Sequence, residues 1–93
     1  MAIVEQQARV KNRLGLHARP AAAFVKLANR FRCESSVAKD GMVVNGKSIM
    51  GVMTLAAECG SELTIRADGD DAETAVDSLA ALVQRQFETA DDV

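Results

Sequence analysis

A chain of 93 residues is long enough to bury one core and too short for two, so residues 1–93 are read as a single domain with at most one site. Apolar residues make up 48% and charged residues 26%, without the charge excess that keeps a chain disordered. The formal net charge of −2, with acids gathered toward the C-terminus, gives no basic footprint for nucleic acid. No apolar run reaches the ~18 residues of a spanning helix and the N-terminus lacks a signal pattern, so a cytoplasmic protein with no membrane insertion is expected.

In chain order, Val4 to Val10 alternates, with Val4, Ala8 and Val10 on one face and Glu5, Gln7 and Arg9 on the other; Gln6 interrupts the inner face. This predicts a strand, which "NRLG" (Asn12 to Gly15) ends. From Ala18 to Phe31, Phe24, Leu27, Ala28 and Phe31 follow the helical spacing i, i+3, i+4, i+7, opposite Lys26, Asn29 and Arg30. Pro20 lacks an N–H and is tolerated only in a first turn, so the helix must start beside His17.

Cys33, Ser35 and Val37 alternate along a strand to Lys39, and Asp40-Gly41 predicts a hairpin turn into Met42 to Asn45. Gly46 ends the hairpin, Ser48 is the expected N-cap of a short helix over Ile49 to Ala57, and Gly60 is the expected stop. Leu63, Ile65 and Ala67 alternate along a further strand. After a turn at Asp68-Gly69, Asp70 and Glu73 are spaced as a capping box for a helix. Its stripe is Ala72, Val76, Leu79 and Val83, leading toward Phe87, with Arg85 near the C-terminal end of the macrodipole. Residues 89–93 read as a frayed tail.

The order β-α-β-β-α-β-α contains a central hairpin, which rules out a purely parallel sheet. An α+β fold with an antiparallel or mixed sheet and its helices on one face is expected. Cys33 and Cys59 lack any CxxC spacing and are read as reduced core thiols; with a single histidine in the chain, neither a metal nor a cofactor is expected.

Three stretches could carry chemistry. "GLHARPA" (Gly15 to Ala21) sets His17 at a helix N-terminus, where unpaired amides and the positive end of the dipole favour an anion. A neutral imidazole is a competent nucleophile near pH 7, and Arg19 could add a charge-assisted fork to phosphate oxygens. The residues leave the alternative open that His17 only caps the helix and Arg19 is a solvated surface charge. "GMVVNGKS" (Gly41 to Ser48) matches the letters of a nucleotide-binding P-loop, yet its "MVVN" spacer belongs to the hairpin, so its glycines are read as turn residues. The helix from Ile49 is apolar nearly all round; a small domain can cover only one side, so Met50 and Met53 are expected on the surface as an adaptable docking patch.

"GLHARPAAAFVKLA", then "NGKSIMGVMTLA", then "ADGDDAETAV" together closely resemble the HPr family, the histidine-containing phosphocarriers of the bacterial phosphoenolpyruvate-dependent phosphotransferase system. The resemblance implies an open-faced sandwich: a four-stranded antiparallel sheet covered on one face by three helices. It implies a phosphocarrier rather than an enzyme, phosphorylated on His17 Nδ1 by enzyme I and passing the group to a histidine of an enzyme IIA protein. Arg19 would stabilise the phosphate, with the backbone of Ala18 and Arg19 in contact with it. Ser48 falls on the regulatory serine that HPr kinase/phosphorylase phosphorylates in some members. Ala18, Arg19, Ile49, Met50 and Met53 would form the partner surface. A nitrogen-type or catabolite-regulatory module, rather than a sugar-uptake carrier, is the alternative role within the same family.

Overall fold

The computed structural model describes residues 3–87, so the expected frayed tail at 89–93 lies outside the described residues. The elements are β1 (Ile3–Arg9), α1 (Ala18–Ala28), β2 (Glu34–Lys39), β3 (Met42–Asn45), α2 (Ile49–Thr54), β4 (Glu62–Asp68) and α3 (Ala72–Gln84), in the predicted order. The strands form one sheet in the order β1-β4-β2-β3, antiparallel at every pairing. The connection through α1 therefore carries the chain from β1 to β2 while leaving room for β4 between them.

Alternation decides which face is covered. Val37 and Ile65 lie opposite each other in register, are fully buried, and sit in one row with Val44 and Gln6. Gln6 is tolerated on this inner side because β1 is an edge strand: its amide reaches out and donates to Asp77 Oδ1 on α3 at 3.1 Å. On α3, Ala72, Ala75, Val76, Leu79, Ala80, Leu82 and Val83 are all buried, a broad apolar side that packs over β1 and β4, while α1 contacts both α2 and α3. The α+β open-faced sandwich follows from one apolar face per strand meeting one apolar side per helix.

The structure corrects several local expectations. The residue flanking α3 is Asp71, and the Asp70–Glu73 capping box does not form; neither does Asp71 cap its own helix with its side chain. Its carboxylate turns instead to the loop before β2, accepting from the backbone N–H of Arg32 at 2.8 Å and of Cys33 at 2.9 Å. Those donors, Arg32 first, hold the Asp71 carboxyl below the usual range. Cys33 is a buried thiol as expected, with its pKa pushed up first by burial and then by the neighbouring Asp71. Cys59, expected in the core, is exposed: it lies in the turn before β4, outside the alternation that sorts strand residues.

Helix ends also differ. The α1 helix stops at Ala28 rather than Phe31, and Arg30 and Phe31 then close shorter i→i−3 bonds to Leu27 and Ala28. The α2 helix stops at Thr54, before Ala57 and well before Gly60. The chain leaves helical geometry at Ala56, with φ +49°, and Lys39 Nζ donates to the carbonyls of Leu55 at 3.2 Å and Ala56 at 3.3 Å, satisfying acceptors past the end of α2 with a cation from β2.

Candidate functional site

The loop that delivers His17 is tied down by its own backbone. Gly15 N–H donates to Asn12 O at 3.1 Å, the Asn12 side-chain amide donates back to Gly15 O at 2.6 Å, and His17 N–H reaches the same carbonyl at 3.0 Å. Gly15 sits at φ +69°, a left-handed conformation, with its α-carbon against the Ala57 carbonyl, which accepts from Leu16 N–H at 2.8 Å. Leu16 is buried, so the loop is anchored on the core on one side of His17 while Pro20 and Ala21 bury the other. Between these anchors His17 is exposed.

His17 occupies the N-cap position of α1 with extended backbone (φ −80°, ψ −173°), but its side chain makes no capping hydrogen bond. The imidazole is thus held by backbone geometry and is not consumed by the helix end. Pro20 has no N–H and Ala21 N–H already donates to His17 O at 3.0 Å, so the amides of Ala18 and Arg19 are the first-turn donors outside the helical ladder. They stand at the positive end of an 11-residue dipole.

His17 and Arg19 line one groove of about 640 Å³ between α1 and the end of α3, together with Asn12, Lys26, Arg30 and Arg85. Its floor is apolar, including Leu27, Leu82 and Phe87. The structure thus brings His17 and Arg19 together and surrounds them with cations that the sequence reading did not assign to the site. Arg19, Lys26 and Arg30, spaced by seven and four residues, carried a readable signal of a basic stripe on α1; Arg85 and Asn12 carried none, because only the fold brings them to α1. Arg19 and Arg85 are both engaged in interactions rather than standing free in solvent.

Ser48 does not line this groove. It caps α2, its Oγ accepting from Gly51 N–H at 3.0 Å. Beside it Ile49, Met50 and Met53 are exposed, Met50 by 77%, while Val52 turns inward and is fully buried. Leu14, just ahead of His17, is a further exposed apolar residue that the sequence reading passed over within "NRLG". The P-loop letters fold as expected of a hairpin: Gly41 turns at φ +86°, "MVVN" is β3, and Lys47 Nζ donates to Phe31 O at 2.7 Å. Among the described residues no group of three His, Cys, Asp or Glu side chains could hold a metal ion, and no helix is long and apolar enough to cross a membrane.

Comparison with known proteins places this geometry in context. Residues 4–85 match the family model for the PTS HPr component phosphorylation site. The chain is 49% identical over 84 residues to the HPr-like protein Crh of Bacillus subtilis, covering 90% of this chain and 99% of that protein. It is 46% identical over 86 residues to the phosphocarrier protein HPr of Treponema pallidum, covering 92% and 98%. The crystal structure of the phosphocarrier protein HPr from Bacillus anthracis superposes with a TM-score of 0.86 at 51% identity, covering 90% of this chain and all of that one.

Proposed function

The chain belongs to the HPr family, and on that premise we propose that it is a cytoplasmic phosphocarrier of the phosphoenolpyruvate-dependent phosphotransferase system, with His17 as the carrier residue. The observation that carries the reading is an exposed imidazole seated at a helix N-terminus without a capping bond of its own. The lone pair on Nδ1 of neutral His17 attacks the phosphorus of the phosphohistidine of enzyme I. A new P–N bond forms as the old one breaks, and the bonding pair returns to the donor imidazole. The acceptor histidine of an enzyme IIA protein repeats the exchange in the next step.

Such transfer asks little of the carrier beyond positioning and charge stabilisation. The hydrogen bonds that tie Asn12 and His17 each to Gly15 supply the first. The amides of Ala18 and Arg19, the dipole of α1 and the guanidinium of Arg19 supply the second. Isolated, the protein turns over no substrate, because donor and acceptor each belong to another protein. Ala18, Arg19, Ile49, Met50 and Met53 form the surface those proteins meet, and the small side chains at Ala18 and Ala21 leave room for the partner's imidazole.

Incubation with enzyme I and labelled phosphoenolpyruvate is expected to give an acid-labile, base-stable label on the wild-type chain and none on His17→Ala. Retained labelling of the variant would overturn the assignment. The variant should still fold: an exposed side chain with no hydrogen bond to the helix end costs within about 0.5 kcal/mol when removed.

A regulatory role is a second reading, favoured by the similarity to Crh, a relative described as a catabolite-repression HPr, and by the placement of Ser48 beside the exposed face of α2. Phosphorylation of Ser48 by HPr kinase/phosphorylase would set about −2 charges at the start of that face and alter what docks there. The acceptor separates the roles: transfer to a sugar-specific enzyme IIA indicates uptake, and transfer only to a nitrogen-type acceptor indicates signalling.

A further inference from the structure

We propose that the Asn12 side chain is a positioning group for His17: resting on the carrier reading above, it fixes the peptide plane from which the imidazole projects while adding little to the stability of the fold. Asn12 holds both polar groups of residue 15. Its backbone carbonyl accepts from Gly15 N–H at 3.1 Å, and its side-chain amide donates to Gly15 O at 2.6 Å. The same oxygen accepts from His17 N–H at 3.0 Å, closing a three-residue turn over Leu16. So small a turn keeps its donor off the straight line a hydrogen bond prefers, and does not by itself hold His17 in one direction.

The plane in question joins Gly15 to Leu16. Its N–H side is held by the Ala57 carbonyl at 2.8 Å, and its carbonyl side by Asn12 and the His17 amide together, which fill both acceptor positions of the oxygen. Because the imidazole makes no capping bond, its aim follows this backbone. Stability alone would not choose an asparagine here. Flipping the amide would set two oxygens against each other, so Nδ2 must face Gly15, and Oδ1 is then left buried without a hydrogen-bond partner. An unpaired buried acceptor offsets what one hydrogen bond contributes, whereas an apolar side chain of similar size removes the bond and the orphan together. The bond is therefore worth more to the geometry of the loop than to the fold. It also keeps a carbonyl lone pair occupied beside a site that receives a negatively charged phosphoryl group.

The experiment compares the full wild-type chain with Asn12→Leu and Asn12→Asp by thermal unfolding, by amide NMR without any phosphoryl donor, and by the kinetics of transfer from phosphorylated enzyme I. Asn12→Leu is expected to unfold within about 4 °C of the wild type. Its amide signals at Leu16, His17 and Ala18 should move while those of the sheet stay in place. Its kcat should fall about tenfold with KM unchanged, because the nucleophile is misaimed while the surface that meets the partner is intact. In Asn12→Asp a carboxylate oxygen faces Gly15 O, so the displacement and the fall in kcat should both be larger.

Unmoved His17 signals in both variants, or moved signals with an unchanged kcat, would overturn the proposal. So would an Asn12→Leu chain destabilised enough to account for its slower transfer, since Asn12 would then be a structural residue only. A wild-type chain that takes no phosphate from enzyme I overturns the carrier reading and this role with it. A wild type that does, beside variants that match it, overturns this role alone.

Discussion

At position 15 the backbone turns with φ +69°, and a Cβ there would drive into the Ala57 carbonyl oxygen. Gly15→Ala therefore combines the left-handed penalty of about 1–2 kcal/mol with displacement of a carbonyl that also accepts from Leu16. Thermal unfolding should show the loss, and on the role proposed for His17 phosphoryl transfer should slow beyond what the lost stability accounts for, because the shifted loop carries the imidazole with it. Asp71 is a second residue whose role depends on where the chain folds back. Its carboxyl is held below its ordinary pKa by the Arg32 and Cys33 amides, so the charged form stabilises the native state above the ordinary carboxylate range, and this is lost as pH falls through the depressed value. Denaturation of wild type and Asp71→Ala across pH 7 to 2 should show the wild-type advantage at neutral pH shrinking as the solution is acidified. The Asp70–Glu73 spacing in the sequence pointed to a local cap; a carboxylate reaching a loop nearly forty positions away leaves no trace in local spacing.

Among the elements, α2 is the one in which the proposed function and stability share residues. With only six residues it cannot support itself, and the Ser48 cap at one end and the Lys39 cation at the other fix its limits. Ser48→Ala should cost about 1 kcal/mol in urea unfolding, whereas Ser48→Asp, which retains a capping oxygen, should restore most of it. A regulatory phosphate at Ser48 would thus act at a position already committed to starting the helix. The N-terminal cap was legible because it depends on residues three apart. The C-terminal limit was not, since the amine that satisfies the carbonyls there comes from Lys39 on β2, 16 and 17 residues earlier in the chain. The strands were more legible still: Leu63, Ile65 and Ala67 are buried as their alternation predicts, because a period of two needs no knowledge of the partner strand.

At the scale of the whole molecule, the sheet is covered on one side only, and the helical layer on that side presents both the His17 loop and the exposed face of α2. Met50 is the most exposed large apolar residue of that layer. Met50→Asp should leave unfolding stability unchanged within about 0.5 kcal/mol. It should weaken binding to enzyme I by about tenfold or more in calorimetry, since a carboxylate forced into an apolar contact costs at least ~1.4 kcal/mol. Unaltered affinity would remove Met50 from the proposed partner surface. The division of labour between sequence and fold is clearest here. By itself the sequence determined the order of the elements, their apolar faces, the start of α1 at His17 and the exposure of Met50, because these depend on periods and caps within a few residues. Only the tertiary structure decided that Arg85 joins Arg19, Lys26 and Arg30 in one groove with His17, that Asp71 serves a distant loop and that Lys39 meets the end of α2. Each of these is a meeting of residues far apart in the chain, fixed by how helices lie on a twisted sheet rather than by any spacing along it.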